Sequence, residues 1–320
     1  AGDSKGKQLT QTLAELIQAP VITTGNGKGM MDNNHPLYIG YPVNKCKAID
    51  DLIKESDLTI SIGTRLPEFK LNLMKNIVEI VSSKSNHYRQ PHITNISIAG
   101  NPNDVLEQII DSISNTPKVG GFSQVEIEKV KKSRDLVLNS MEPQISYVRA
   151  INSVVPPDAI LVEGVNQIGY VCRWAYTVKT HNGYITSSYF GNLGYAYPTA
   201  LGAKVAAPDR PVICISGDGG FLYNSQEMNT AVNYGINVIV IVFNDQAYGN
   251  VYRDQIQKYD NRVIGSKLKN PDFVKLANSY GMQAARVSDP NSLQIELEKA
   301  IATQSPYLIE VTVDMMPSPW

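Results

Sequence analysis

The sequence has few cysteines, no excess of charge of either sign and no long apolar run. Its three cysteines, Cys46, Cys172 and Cys214, are odd in number and lack the C-x-x-C spacing of many metal and redox sites. This excludes a disulfide-built scaffold and favours a reducing compartment, so we expect a cytoplasmic protein. No segment approaches the roughly 18 apolar residues that a membrane-spanning helix needs, so we expect no membrane partner.

The charged residues balance to a formal net charge of −1. The densest basic run, Lys129 with Lys131 and Lys132, has the pattern of a solvated helix, so we expect no nucleic-acid partner. The four histidines show no metal-ligand spacing (His35, His87, His92 and His181). A length of 320 residues predicts two domains, each large enough for its own core.

Helix and strand patterns alternate along the whole chain, which predicts an α/β fold with parallel sheets. In the first part, the patterns predict helices at 9–17, near 46–54 and at 103–113, and strands at 20–24 and 58–62. A Pro-, Gly- and Ser-rich stretch at 114–123 predicts the domain boundary. We therefore expect two doubly wound domains. Their predicted bounds are a central Rossmann-like domain at 1–115, a linker and helix at 116–143, and a second domain at 144–320.

The second domain contains two aspartates that follow predicted strands. The strand PVICIS (211–216) leads into Gly217, Asp218, Gly219 and Gly220, and the strand NVIVIVF (237–243) leads into Asn244 and Asp245. Carboxyl ends of parallel strands share one edge of a sheet, where ligands bind. The glycines allow close backbone approach, and the following helix N-terminus favours an anion such as a diphosphate. Two hard carboxylates beside a diphosphate suit Mg²⁺, with Asp218 and Asp245 as its ligands.

A GDGG segment by itself is also compatible with a tight turn and an N-capping aspartate. The alternative to a catalytic site is therefore a non-catalytic α/β nucleotide-binding or structural module. The polar stretch after Asp245 is interpreted as a loop, and its residues 253–255 are candidates for substrate contact or for an interface.

The segment GDGGF, followed 27 positions after Asp218 by Asp245 within FNDQAYG, resembles the thiamine-diphosphate motif of acetolactate-synthase-like enzymes. GNLGYAYPTALGAKVA (191–206) and VEGVNQ (162–167) resemble segments of the same family upstream of the motif. PVITTGNGKG, NHPLYIG and ESDLTISIGTR resemble its central domain. The resemblance thus covers nearly the whole chain.

The resemblance implies roles for individual residues. The Gly191 carbonyl and the Leu193 N–H would meet the aminopyrimidine, and Leu193 would be the apolar wedge that bends the cofactor; these are the two candidate catalytic residues. Asp218, Asp245 and the Ala247 carbonyl would hold Mg²⁺. The implied cofactor-binding residues are Asn166, Gln167, Gly191, Leu193, Gly217, Asp218, Gly219, Gly220, Asp245, Ala247, Tyr248 and Gly249.

The resemblance also implies a partner for this site. The family's activating glutamate comes from a pyrimidine-binding domain, and no glutamate here stands in that context, so we expect the isolated chain to be inactive. That domain would be a missing amino-terminal part or a separate subunit, in a homodimer or tetramer. The implied reaction is carbon–carbon bond cleavage or formation on a 2-oxo acid. Acetolactate-type ligation, 2-oxo-acid decarboxylation and 2-hydroxyacyl-CoA lyase chemistry remain open.

Some members of the family carry FAD in the central domain. Here the glycine-rich segment after HPL is replaced by GYPVNKCKA, and the family's RFDDR appears as RLPEFK. These replacements argue against FAD. The alternatives are that the central domain binds no ligand, or an adenosine-containing group such as coenzyme A.

Overall fold

The computed structural model describes residues 3–64, 66, 70–83, 96–116, 120–188 and 190–320. His87 and His92 lie outside these residues, as do 65 and 67–69 of the RLPEFK segment. The chain forms two compact units, Ala1–Leu138 and Asn139–Trp320. Among the described residues, no helix is both long and apolar enough to cross a membrane.

The first unit contains two parallel sheets in its described part. Strands β3, β4 and β5 form one sheet, and β1 pairs with β2 in the other. Helices α1 and α3 pack against the three-stranded sheet through Leu13, Leu106 and Ile80, all of which are buried. The elements are α1 (Ser4–Ile17), β1 (Val21–Ile22), β2 (Tyr38–Gly40), α2 (Lys47–Glu55), β3 (Thr59–Ile62), β4 (Ile77–Val81), β5 (Ile96–Ala99), α3 (Pro102–Ile113) and α4 (Gln124–Asn139).

Helix α4 packs on the first unit for most of its length, and it lies within the residues predicted to form a linker and helix at 116–143. Arg134 donates from Nη1 to the Ile39 carbonyl at 2.6 Å, and Lys131 donates from Nζ to the His35 carbonyl at 3.1 Å. Two long basic side chains of this charged helix therefore bind backbone carbonyl groups of the first unit. The hydrophobic pattern alone does not reveal such a contact.

The second unit is built on a six-stranded parallel sheet in the order β10-β11-β9-β8-β6-β7. Its elements are α5 (Gln144–Val154), β6 (Ile160–Glu163), α6 (Gln167–Ala175), β7 (Tyr184–Ile185), α7 (Ala196–Ala206), β8 (Val212–Gly217), α8 (Asp218–Leu222), α9 (Met228–Asn233), β9 (Val238–Asn244), α10 (Gly249–Lys258), α11 (Phe273–Ser279), β10 (Gln283–Val287), α12 (Pro290–Thr303) and β11 (Tyr307–Thr312). The predicted α/β class with parallel sheets is confirmed.

Helices cover both faces of this sheet, which explains why its central strands are continuous apolar runs. On one face, Ala200 of α7 and Phe273 of α11 pack with Cys214 of β8 in one buried cluster. On the other face, Tyr147 of α5 meets Phe243 of β9 edge-on, with ring centroids 5.3 Å apart. Because neither face of the central strands meets water, their polar residues concentrate at the strand ends.

One interpretation from the sequence is wrong. The stretch after Asp245 is not simply a polar loop, because residues 249–258 form helix α10. Its buried position is Arg253, while Val251 is 52% exposed. An apolar stripe is the usual signal of a helix, and this helix turns a charged residue inward instead.

Candidate functional site

Three neighbouring strands of the second unit end at the predicted motif segments. β8 lies between β6 and β9 in the sheet. Since all three are parallel, the loops after Glu163, Gly217 and Asn244 emerge at one edge. This is the edge at which open α/β sheets bind ligands.

Asp218 and Asp245 lie close together at this edge. Asp218 is 2% exposed, and its Oδ1 accepts a hydrogen bond from the Gly219 N–H at 2.7 Å. Burial raises the pKa of Asp218. Burial and the negative charge of Asp218 together raise the pKa of Asp245 to about 6. Because the charge of Asp218 opposes the ionisation of Asp245, a divalent cation between the two carboxylates would stabilise both of them as anions.

The donor set fits Mg²⁺ held jointly with a diphosphate. Within the described ranges, no group of three or more His, Cys, Asp and Glu side chains is arranged to hold a metal. Mg²⁺ usually takes only one or two protein carboxylates and completes its shell with phosphate oxygens and water. Two carboxylates beside a glycine-rich turn match that requirement, whereas a site made of protein ligands alone would need more.

The loop that carries Asp245 is fixed by a short antiparallel contact. Tyr248 donates its N–H to the Ser266 carbonyl at 2.8 Å, and Leu268 donates to the Gln246 carbonyl at 2.7 Å. These bonds flank Ala247, so its own N–H and carbonyl are left for other partners. The N–H donates to Asp245 Oδ1 at 3.2 Å. The Ala247 carbonyl is thus available as the expected third protein ligand.

At three glycine positions an added methyl group would meet close neighbours. A methyl group at Gly219 would lie 2.5 Å from the Tyr248 ring, and one at Gly249 would lie 2.5 Å from Asp245 Oδ2. A methyl group at Gly217 would lie 3.2 Å from Cβ of Asn166. The backbone therefore approaches both the Asp245 carboxylate and the neighbouring loops closely.

The GNLG loop reaches the same place. The Leu193 side chain lies 3.7 Å from where a methyl group on Gly220 would be. Gly191 and Gly194 have positive φ angles of 53° and 83°, which glycine adopts without strain. The Gly194 carbonyl accepts a hydrogen bond from Asn224 Nδ2 at 2.5 Å. Leu193 is thus held next to the glycine turn while remaining partly exposed.

Asn166 and Gln167 use their side chains to organise the protein. Asn166 caps α6 by accepting from the N–H groups of Ile168 and Gly169, both at 3.0 Å. The side-chain amide of Gln167 is oriented so that both its oxygen and its nitrogen have partners. In this orientation the oxygen accepts a hydrogen bond from Arg253 Nη1 at 3.1 Å. Any contact of these residues with a diphosphate would therefore come chiefly from their backbone.

Sequence reasoning missed a buried ion pair beside the site. Glu163 is fully buried, and Arg173 donates to it from Nε at 2.8 Å and lies 2.7 Å away through Nη2. The Tyr184 hydroxyl donates to the same carboxylate at 2.5 Å. The Tyr195 hydroxyl donates to the Glu163 backbone carbonyl and so ties the GNLG loop to the end of β6. In the sequence, the feature that could have indicated this pair is Glu163, a charged residue that directly follows the apolar run AILV.

Comparison with known proteins matches both parts of the chain. The central domain of thiamine pyrophosphate (thiamine diphosphate) enzymes matches residues 1–109, and their C-terminal thiamine-pyrophosphate-binding domain matches residues 167–311. The probable acetolactate synthase large subunit of Methanococcus aeolicus is 31% identical over 94% of this chain and 55% of its own length. The probable acetolactate synthase large subunit of Methanocaldococcus jannaschii is 32% identical over 94% of this chain and 54% of its own length.

The pyruvate oxidase of Lactiplantibacillus plantarum is also similar, at 28% identity over 96% of this chain and 53% of its own length. The chain spans about half the length of the curated relatives that it matches. The family models nevertheless cover most of the chain, including the segment with Asp218 and Asp245. The chain therefore belongs to the thiamine pyrophosphate enzymes and is acetolactate-synthase-like.

Proposed function

We propose that this chain binds thiamine diphosphate through Mg²⁺ and supplies the diphosphate and metal half of a site that acts on a 2-oxo acid. The observation that carries the proposal is the pair of opposed carboxylates, Asp218 and Asp245, at an edge where glycine-rich loops converge. Burial and the charge of Asp218 raise the pKa of Asp245 to about 6, and a divalent cation between the two carboxylates would stabilise both of them as anions.

The remaining residues divide the binding task between the two ends of the cofactor. Asp218, Asp245 and the Ala247 carbonyl would hold Mg²⁺, and the backbone at Gly219, Gly220 and Gly249 would lie along the diphosphate. Tyr248 packs against Gly219 and would close that end of the site. Free N–H groups of a tight turn suit phosphate oxygens.

Leu193 and Gly191 would shape the other end. Leu193, an apolar side chain held beside the glycine turn, would pack against the rings of the cofactor and hold them in place. When bound, thiamine diphosphate supplies the carbanion chemistry needed to break or make a bond next to a carbonyl group. Gly191 is exposed, so its carbonyl could accept from the aminopyrimidine.

The activating carboxylate would come from a pyrimidine-binding domain, in the same protein or in another subunit. We infer that the isolated chain binds the cofactor without turning over substrate and that the working unit is a homodimer or a tetramer in the cytoplasm. Acetolactate-type ligation is the first candidate reaction, because several similar proteins are named acetolactate synthase large subunit. Decarboxylation is the second, because another relative is a probable 2-ketoarginine decarboxylase, 27% identical.

Calorimetry of the intact protein with thiamine diphosphate, in Mg²⁺ and then in a chelator, tests the proposal. We expect Mg²⁺-dependent binding that Asp218→Asn weakens by about 100-fold, because one anionic ligand is lost while the side-chain shape is kept. Asp209→Asn, at an exposed site before β8, is the matched control and should bind like the parent protein. If the parent protein does not bind thiamine diphosphate, or if Asp218→Asn binds it equally well, the interpretation as a non-catalytic module is favoured.

A further inference from the structure

Asn270 lies between the two strand ends that carry the candidate metal ligands. Its amide nitrogen donates to Asp218 Oδ2 at 2.6 Å and to Asn244 Oδ1 at 2.8 Å. Asn244 is the last residue of β9 and immediately precedes Asp245. A single amide group therefore binds the end of β8 to the end of β9, although it comes from the loop before α11.

This contact fixes the orientation of the Asp218 carboxylate. Oδ2 accepts from Asn270, and Oδ1 accepts from the Gly219 N–H at 2.7 Å. With hydrogen bonds to both oxygens, the carboxylate cannot rotate about its Cβ–Cγ bond without breaking one of them. Each oxygen keeps lone pairs for a cation, in directions that the two donors determine.

Asn270 is itself backed by a buried polar chain. Asn244 donates from Nδ2 to Glu310 Oε1 at 2.7 Å, and Arg286 donates from Nε to Glu310 Oε2 at 2.8 Å. Glu310 is 2% exposed and lies on β11, the strand beside β9. Since Asn244 is held from the β11 side, its Oδ1 is a fixed acceptor for Asn270.

The orientation of the Asn270 amide leaves one atom without a partner. Its nitrogen must face the two acceptors, so its Oδ1 points elsewhere. This oxygen is buried and accepts no hydrogen bond from any part of the chain that the structure describes. A buried acceptor without a partner carries a cost in stability. Such a cost is unexpected for a residue that serves stability alone, and it is more common at functional sites.

We propose that Asn270 is a positioning residue of the metal site, which holds the Asp218 carboxylate and the start of the Asp245 loop in the arrangement that an octahedral cation requires. The inference rests on the proposed binding of Mg²⁺. It assigns to Asn270 a role in selecting the metal: Mg²⁺ demands near-ideal octahedral geometry, whereas Ca²⁺ accepts flexible arrangements of oxygen ligands.

Two variants test this role. Asn270→Ala removes the donor, and Asn270→Leu removes it while keeping a similar volume and eliminating the unpartnered oxygen. Asn278→Ala, at an exposed position of α11, is the control. The dissociation constants of Mg²⁺ and of Ca²⁺ are measured by calorimetry on the intact protein with saturating thiamine diphosphate, and circular dichroism checks folding.

We expect both Asn270 variants to lose about 10–100-fold in Mg²⁺ affinity, as is typical when a group that orients a metal ligand is removed. Ca²⁺ affinity should fall less, so that the preference for Mg²⁺ over Ca²⁺ drops about tenfold. An equal loss for both ions in the two variants would indicate a merely structural role and overturn the inference. Unchanged Mg²⁺ affinity in folded Asn270→Leu would overturn it as well. If the parent protein binds neither ion, the proposed function fails first, and this inference fails with it.

Discussion

The substitution Gly249→Ala separates the geometry of the proposed metal site from the stability of the fold. The added methyl group would lie 2.5 Å from Asp245 Oδ2 and 3.6 Å from its Cγ. An ordinary carbon–oxygen contact is about 3.3 Å, so the oxygen must move by roughly 0.8 Å. Mg–O distances of about 2.0–2.1 Å leave little tolerance for such a shift. We expect Mg²⁺-dependent binding of thiamine diphosphate to weaken about 10–100-fold.

The same substitution should change the free energy of unfolding by less than about 1 kcal/mol. Only the end of one short side chain has to move, and alanine is a better helix former than the glycine that begins α10. Gly202→Ala in α7 is the control, because a methyl group there would meet nothing within 4 Å. Calorimetry measures the binding, and urea unfolding measures the stability. Unchanged Mg²⁺ affinity in a folded Gly249→Ala variant would refute the reasoning that the position of Asp245 Oδ2 controls the site.

Three further substitutions test how the site is held in place. Gly169→Ala should lower the free energy of unfolding by at least about 2 kcal/mol in urea denaturation, because its methyl group would lie 2.2 Å from the Gly164 carbonyl. Glu163→Gln should cost about 3 kcal/mol in the same assay, because Arg173 loses its anionic partner; no change would mean that the ion pair is dispensable. Tyr195→Phe should cost about 1 kcal/mol and weaken cofactor binding in calorimetry, because the bond to the Glu163 carbonyl is lost; a loss of stability alone would contradict the loop-positioning role.

The sequence predicted the features that depend on local pattern. Continuous apolar runs identified the central strands β8 and β9, because helices cover both of their faces. The spacing of Asp218 and Asp245 placed both at strand ends, and parallel pairing of these strands brings them to one edge. Alternation of helix and strand was enough to predict the α/β class. The ligand roles of the individual site residues stay predictions.

The features that the sequence did not predict depend on contacts between distant segments. Helix α10 buries Arg253 in place of an apolar residue, so its periodicity is hidden. Strand β10 is an edge strand whose sequence, QAARV, is partly exposed and only weakly apolar. Asn270 meets Asp218 across 52 residues, and nothing in its local sequence indicates that contact. Such residues can be recognised only once the fold has brought their partners together.

Asparagine side chains share one task around this site. Asn166 caps the helix after β6, Asn224 donates to the Gly194 carbonyl, and Asn270 joins the ends of β8 and β9. An amide side chain offers both donors and an acceptor without carrying charge, so it can satisfy the backbone of a tight turn without adding a charge near Asp218 and Asp245. These loops are thereby held in part by neutral groups, while Asp218 and Asp245 are the charged side chains proposed to bind the metal. It follows that replacing these asparagines with other neutral residues should change the affinity for cofactor and metal without changing the charge of the site.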